Sequence, residues 1–246
     1  MPHFFIKTQN IRENRIQIED KDLYNHLVRA RRVKLGEKVL FIDENKMQYE
    51  TKISAIEKTS LMADICKSYK SERVLNINLT AARCVLKQDA DFSAIQKATE
   101  LGVQTIIPLI SDNCAVKESV IRAKADKFRK IAEESVKQCE RADFPQVLPP
   151  VSLDEFLKTK LKDYDKVLLF SEREKTYTIK KYFKDNPFEK SDKILAIIGC
   201  EGGFSEREFH LFEQYNLPEI TLGKLIMRAD TALTAALFGI IQEVSE

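Results

Sequence analysis

Two rhythms of apolar and polar residues divide the chain. From Phe4 to about Ser71 the apolar positions fall in short runs, FFI, RIQI, KVLFID, YETKISAI and LMADI, separated by charged turns. Runs this short, alternating or wholly apolar, predict strands, so this part reads as a small β-rich domain. One segment, DKDLYNHLVRARRVKLGEKV, departs from it. There Leu23, Leu27 and Ala30 share one helical face, Arg29, Arg31 and Arg32 lie elsewhere around the axis, and Gly36 closes the turn.

The charged stretch KSYKSERV ends the first rhythm, which places the domain boundary between residues 72 and 73 and leaves 73–246 as the second domain. Asn76 to Leu86 then reads as a strand, and Asp91 to Leu101 as a helix with Asp91 near its N-cap and Gly102 just past its end. Val103 to Ile110 reads as the next strand. Between Val120 and Arg141 the positions Ile121, Ala125, Phe128, Ala132, Val136 and Cys139 recur at helical spacing, which predicts one amphipathic helix. A buried strand at Val167 to Phe170 and a helix at Tyr177 to Phe183 continue the alternation. Strands alternating with helices, with no repeat or long linker, predict an α/β fold with a mainly parallel sheet.

The last quarter repeats one unit. Ile194 to Ile198 is an apolar run too short for a helix and is followed by the loop GCEGGF. Ser205 and Glu208 then stand at the spacing of a capping box, which marks a helix start. Glu219 to Leu222 is a second strand, Gly223 opens a second loop, and Arg228 to Val244 is a long apolar helix. Loops at the carboxyl ends of neighbouring parallel strands form a ligand crevice, where glycine lets backbone N–H groups approach the ligand. Neither loop carries a dinucleotide or Walker-type glycine pattern, so a nucleotide-like ligand without a triphosphate is expected.

Charge and cysteine content narrow the setting. The 40 basic and 38 acidic side chains leave a net charge of +2, and the basic excess sits in residues 1–72, with 14 basic against 11 acidic. Four basic residues between Arg29 and Lys34 can grip phosphates or form a solvated face. The five cysteines are irregularly spaced with no C-x-x-C pair, as reduced thiols of a cytosolic protein are. MPHFFIKTQN lacks the build of a secretory signal, and no apolar run suits a membrane span, so a cytoplasmic location is expected. His3, His26 and His210 show no ligand-like spacing with cysteines or carboxylates, and no metal is expected.

The two C-terminal loops carry a resemblance. IIGCEGGFSEREF is similar to the I-I-G-P-E-G-G-F-S-x-x-E motif, and LGKLIMRADTAL to the L-G-x-x-I-L-R-x-E-T-A motif, of the RsmE family of SPOUT methyltransferases. Cys200 stands where that family has proline, Met227 where it has leucine, and Asp230 where it has glutamate. The segment around His26, Leu27, Arg32 and Gly36 resembles part of the PUA-like domain that precedes the catalytic domain there. KATELGV at Lys97 to Val103 matches a further family segment, although the arginine expected a dozen residues on is missing from SDNC. QCER at Gln138 to Arg141 resembles a family helix end, with Lys137 in place of its glutamate.

The resemblance implies a SPOUT-type α/β knot in which the C-terminal segment threads through a loop, following a PUA-like RNA-binding domain. It implies S-adenosylmethionine as cofactor, held by Gly199, Cys200, Glu201, Gly202, Leu222, Gly223, Ile226 and Met227. It implies methylation of N3 of a uridine in 16S ribosomal RNA, within the 30S subunit, by a homodimer. Ribose 2′-O methylation and a non-catalytic role in RNA binding or ribosome assembly are the competing readings. Methyl transfer from a sulfonium is an in-line displacement that relies on positioning. Loss of the N3 proton spreads negative charge onto the uracil oxygens, which a guanidinium stabilises, and Arg228 is the candidate. A salt bridge from Arg228 to Asp230 is the alternative. Arg29, Arg31, Arg32 and Arg141 are candidate RNA contacts, although Arg141 in a last helical turn also complements the helix dipole. Glu201 can lie near the cationic donor or hold its loop by accepting N–H bonds; the sequence leaves both open.

Overall fold

The structure, a computed structural model, describes residues 3–245. It divides into two compact units: the chain up to Val74 together with Lys137–Asp143, and Leu75–Val136 together with the chain from Phe144 onward.

The first unit is a six-stranded sheet of β1 (His3–Phe5), β2 (Ile11–Arg12), β3 (Arg15–Ile18), β4 (Lys38–Ile42), β5 (Met47–Ile56) and β6 (Leu61–Lys70). The order is β1-β4-β5-β6-β3-β2, antiparallel except that β1 runs parallel to β4. Alternate residues Ile16, Ile18, Val39, Phe41, Ile53, Leu61 and Ala63 fill its core. The charged interruption becomes α1 (Lys21–Tyr24), capped by Asp20, whose carboxylate accepts the Leu23 N–H at 2.8 Å. It then widens into a π-helical turn over Asn25–Ala30, with the Arg31 N–H reaching the His26 carbonyl at 2.9 Å. The expected face of Leu23, Leu27 and Ala30 is therefore altered. Tyr24 and Leu27 are buried and Ala30 is exposed, because a π turn takes more residues per revolution and rotates later positions off the stripe.

The second unit begins with β7 (Asn78–Cys84), α2 (Gln88–Glu100) and β8 (Thr105–Ile110). The predicted single helix is two, α3 (Glu118–Ala123) and α4 (Ala125–Cys139), broken at Lys124. Its inward face is as expected: Ile121, Phe128, Ala132 and Val136 are buried and Ala125 and Cys139 half-buried. There follow β9 (Gln146–Val147), β10 (Val151–Ser152), α5 (Leu153–Thr159), β11 (Lys166–Phe170) and α6 (Ile179–Asp185). The last quarter supplies β12 (Lys193–Ile198), α7 (Glu206–Gln214), β13 (Glu219–Ile220) and α8 (Ala229–Val244). All seven strands pair in parallel, in the order β10-β8-β7-β12-β11-β13 with β9 beside β8. Helices cover such sheets on both faces, so a central strand reads as an unbroken apolar run, as Ile194 to Ile198 does.

The C-terminal path is the unusual one. β13 pairs with β11, while Thr221 pairs with Thr178 and donates its N–H to the Tyr177 carbonyl at 2.9 Å. The chain thus runs beside the end of β11 and the segment before α6, and α8 then packs on α2, α6 and β12. Among the described residues, no helix is long and apolar enough to cross a membrane.

Asp91 differs from its expected place. Lys87 occupies the N-cap of α2, and Asp91 sits one turn inside, fully buried. One oxygen of its carboxylate accepts the Leu86 N–H at 3.1 Å and a hydrogen bond from the guanidinium of Arg83, itself 1% exposed and lying over the Phe128 ring. Removing one partner of such a pair leaves a buried charge uncompensated. Asp91→Ala should therefore cost about 3–5 kcal/mol, whereas replacing both partners by apolar residues of similar volume should cost far less. Urea midpoints of the single and double variants check this.

Candidate active site

The carboxyl ends of β12, β11 and β13 lie side by side, and the loops leaving them surround one cavity of about 650 Å³. The loop after β12 turns at once: the Cys200 carbonyl accepts the Gly203 N–H at 3.0 Å, and Gly203 has φ +64°. α7 then starts with the capping box that the sequence predicts. Ser205 Oγ accepts the Glu208 N–H at 3.2 Å, and Glu208 Oε2 accepts the Ser205 N–H at 2.8 Å. Glu208 is fully buried, and its other oxygen accepts the Asp112 N–H at 2.9 Å, which ties the loop after β8 to the start of α7. Nearby, Arg207 pairs with both Asp112 and Asp154. Asp112 is held below the usual carboxylate range by hydrogen bonds from Arg207 and Ser205.

Two glycines have different reasons to be glycine. A side chain at Gly202 would meet Asn113, with its Cβ 3.0 Å from the Asn113 Cβ, and the Asn113 amide donates to the Gly202 carbonyl at 3.1 Å. This position therefore admits a neighbouring loop, and Asn113 lies in the SDNC segment where the family's arginine is missing. Gly223 has φ +124°, and nothing stands within 4 Å of where its side chain would be. Here glycine leaves open space and adopts a backbone conformation other residues resist. Glu201 is exposed, and one of its oxygens accepts the Lys87 N–H at 2.9 Å. Of its two readings, holding the loop is the one the hydrogen bonds display.

The second loop leaves β13 through Thr221, whose hydroxyl accepts the Gly223 N–H at 3.1 Å. Leu225 and Ile226 follow at 82% and 83% exposure, a large apolar pair left to solvent. Arg228 is exposed at the N-cap of α8. Asp230 pairs with Lys97 of α2 at 3.0 Å rather than with Arg228, and the Lys97 hydrogen bond holds its carboxyl below the usual range.

The structure brings Gly199, Cys200, Glu201, Gly202, Leu222, Gly223, Ile226, Met227 and Arg228 together around this single cavity. Sequence reasoning missed Leu86, in the connection between β7 and α2, and Ala90, in the first turn of α2, which both line it. Their signal was positional, since β7 neighbours β12 and its carboxyl end faces the same crevice. Arg29, Arg31 and Arg32 belong to the other unit, where all three are exposed. Arg141 also falls in that unit but is 6% exposed, with its Nε on Asp143 at 2.8 Å. His210 is exposed, 3.4 Å from Glu213, and among the described residues no group of histidine, cysteine and carboxylate side chains suits a metal ion.

Residues 73–241 match the RNA methyltransferase domain family and residues 18–66 the RNA methyltransferase PUA domain family. The chain is similar to the ribosomal RNA small subunit methyltransferase E of Mesomycoplasma hyopneumoniae (strain 232), with 32% identity over 69% of this chain and 72% of that protein. Its likeness to the enzyme of the same name from Rickettsia conorii is 26% over 95% of this chain and 92% of that one. Among solved structures it is similar to a ribosomal RNA small subunit methyltransferase E from Neisseria gonorrhoeae bound to S-adenosyl methionine, with a TM-score of 0.81 at 24% identity over 98% and 97% of the two chains. With the domain match spanning more than half of the chain, the protein belongs to the RNA methyltransferase family that contains the small-subunit RsmE enzymes.

Proposed function

We propose that this protein transfers a methyl group from S-adenosylmethionine to N3 of a uridine in 16S ribosomal RNA. The observation that carries this reading is the single cavity enclosed by both glycine loops, with Arg228 at its lining. Its volume of about 650 Å³ suits a nucleoside-sized ligand, and it offers backbone N–H groups beside the apolar side chains of Leu222, Ile226 and Met227. The protein's relatives from Rickettsia and Mesomycoplasma are small-subunit ribosomal RNA methyltransferases, which supports the small-subunit RNA as substrate class. That the Neisseria protein of the same fold binds S-adenosyl methionine supports the cofactor.

When bound, the cofactor supplies an electrophilic methyl on a sulfonium, and the protein's task is placement. Gly199, Cys200, Glu201 and Gly202 hold one side of the cofactor, and Leu222, Gly223, Ile226 and Met227 the other. Glu201, bonded to the Lys87 N–H, keeps the first loop in position. Arg228 faces the base and stabilises the charge left on its carbonyl oxygens when N3 loses its proton. Arg29, Arg31 and Arg32, on the β-rich unit, contact RNA phosphates. The protein works in the cytoplasm on the 30S subunit as a homodimer. A second copy would cover the exposed apolar surface of Leu225 and Ile226.

Digestion of ribosomal RNA methylated by the protein, followed by mass spectrometry of the nucleosides, tests the assignment. N3-methyluridine is expected; a ribose-methylated product or unmodified RNA overturns it. On the acceptor side, Arg228→Ala should lower single-turnover methylation by about 10²–10³-fold at saturating S-adenosylmethionine, with Arg228→Lys less impaired. Cofactor affinity, measured by calorimetry, should barely change in either variant. On the RNA side, Arg29→Ala combined with Arg32→Ala should weaken RNA binding and flatten its salt dependence, by a slope of about 1 for each lost phosphate contact. Affinity measured across a series of salt concentrations reads this directly.

A further inference from the structure

Three of the five cysteines end neighbouring strands. Cys84 closes β7, Cys200 follows β12, and Cys114 lies in the loop after β8, so the strand order β8-β7-β12 gathers them at the carboxyl end of the sheet. The Ser111 hydroxyl lies 3.2 Å from Cys114 Sγ and 3.8 Å from Cys200 Sγ. The neighbouring Cys200 thiol, with Ser111, holds the Cys114 thiol below its ordinary range. Cys200 is pushed up by the same contact, and burial pushes Cys84 up. Cys114 is half-buried, whereas Cys84 is 1% exposed. The least buried of the three thiols, Cys114, therefore shares the Ser111 hydroxyl with Cys200.

We propose that Cys114 and Cys200 form a reversible disulfide on exposure to a peroxide, and that this bond switches the cavity between the glycine loops. The loops carrying the two thiols are already joined through Asn113 to the Gly202 carbonyl and through the Asp112 N–H to Glu208, so the thiols are held in register without large motion. In the first step the Cys114 thiolate attacks one peroxide oxygen, the O–O bond breaks, and Cys114 becomes a sulfenic acid while hydroxide leaves and takes up a proton. In the second, the Cys200 sulfur attacks the sulfenic sulfur, the S–O bond breaks, and the departing hydroxide leaves as water with the Cys200 proton. Two thiols lose two electrons and two protons, and the peroxide becomes two waters.

An S–S bond is about 2.05 Å long, so the loops carrying Cys114 and Cys200 must draw together to form it. Cys200 lines the cavity between Gly199 and Glu201, and its displacement moves the backbone N–H groups beside it. The effect on ligand binding rests on the cofactor reading given above; the bond itself does not.

The full-length protein, reduced and then treated with hydrogen peroxide, tests both parts. Peptide mass spectrometry without reductant should find Cys114 linked to Cys200, with Cys66, Cys84 and Cys139 free, and Cys114→Ser should abolish the link. Calorimetry should show S-adenosylmethionine binding at least about tenfold more weakly to the oxidised protein and fully again after dithiothreitol. Five free thiols after peroxide, a sulfinic acid at Cys114 without a link, or a link through Cys84 overturns the proposal. A mapped bond with equal affinity in the two states overturns the switch. A reduced protein that fails to bind S-adenosylmethionine overturns the cofactor assignment instead, and the peptide map then decides the disulfide alone.

Discussion

The cavity depends on one buried carboxylate. Glu208 is fully excluded from solvent, and a group of that kind is tolerated only when its oxygens are hydrogen bonded. Its two oxygens accept N–H groups from Ser205 and from Asp112, which lie on different loops at the carboxyl end of the sheet. One side chain therefore both starts α7 and fixes the loop after β8 against the turn after β12. Asn113 and Gly202 pack into the joint so formed, and Ser111, Cys114 and Cys200 lie beneath it. Carboxylate anchoring recurs at Glu201, which bonds the Lys87 N–H, and at Asp91, which bonds the Leu86 N–H and Arg83. Loops that would otherwise carry unsatisfied backbone groups are held by carboxylates fixed on neighbouring elements.

This anchoring assigns different physical roles to the two glycine loops. The turn after β12 is pinned on several sides, by Glu208, Asn113 and Glu201, and presents fixed backbone groups. The segment after β13 is held through Thr221 and then leaves Leu225, Ile226 and Arg228 exposed. A rigid side suited to positioning a ligand faces a side whose apolar residues have no cover within the chain. Positioning is what an in-line methyl transfer demands, since misplacement of the reacting atoms costs rate steeply.

Much of this was legible because it is local. The Ser205 and Glu208 capping box, the apolar run of β12 and the glycine after each terminal strand follow from spacing alone, and they locate the cavity. What the sequence concealed is long-range or irregular. Nothing local marks Glu208 as the partner of Asp112, 96 residues away, or Asp91 as a buried mate of Arg83 rather than a cap. The π turn at Asn25–Ala30 shifts the helical register, so that Ala30 faces outward although its spacing matches Leu23 and Leu27. Arg141, which the sequence leaves open to either RNA contact or the helix dipole, is buried and engaged by Asp143 two residues on. Polar side chains advertise chemistry in a sequence, and only packing decides whether that chemistry is spent inside the fold.

The central claim is that the two glycine loops enclose the cofactor. A crystal structure of the protein with S-adenosylhomocysteine tests it most directly. The account predicts ligand density within the cavity, between Gly199–Gly202 and Leu222–Met227, with Glu201 still bonded to the Lys87 N–H and Arg228 left free for the acceptor. Density at another site, or a ligand whose carboxylate is held by Arg228, would contradict it.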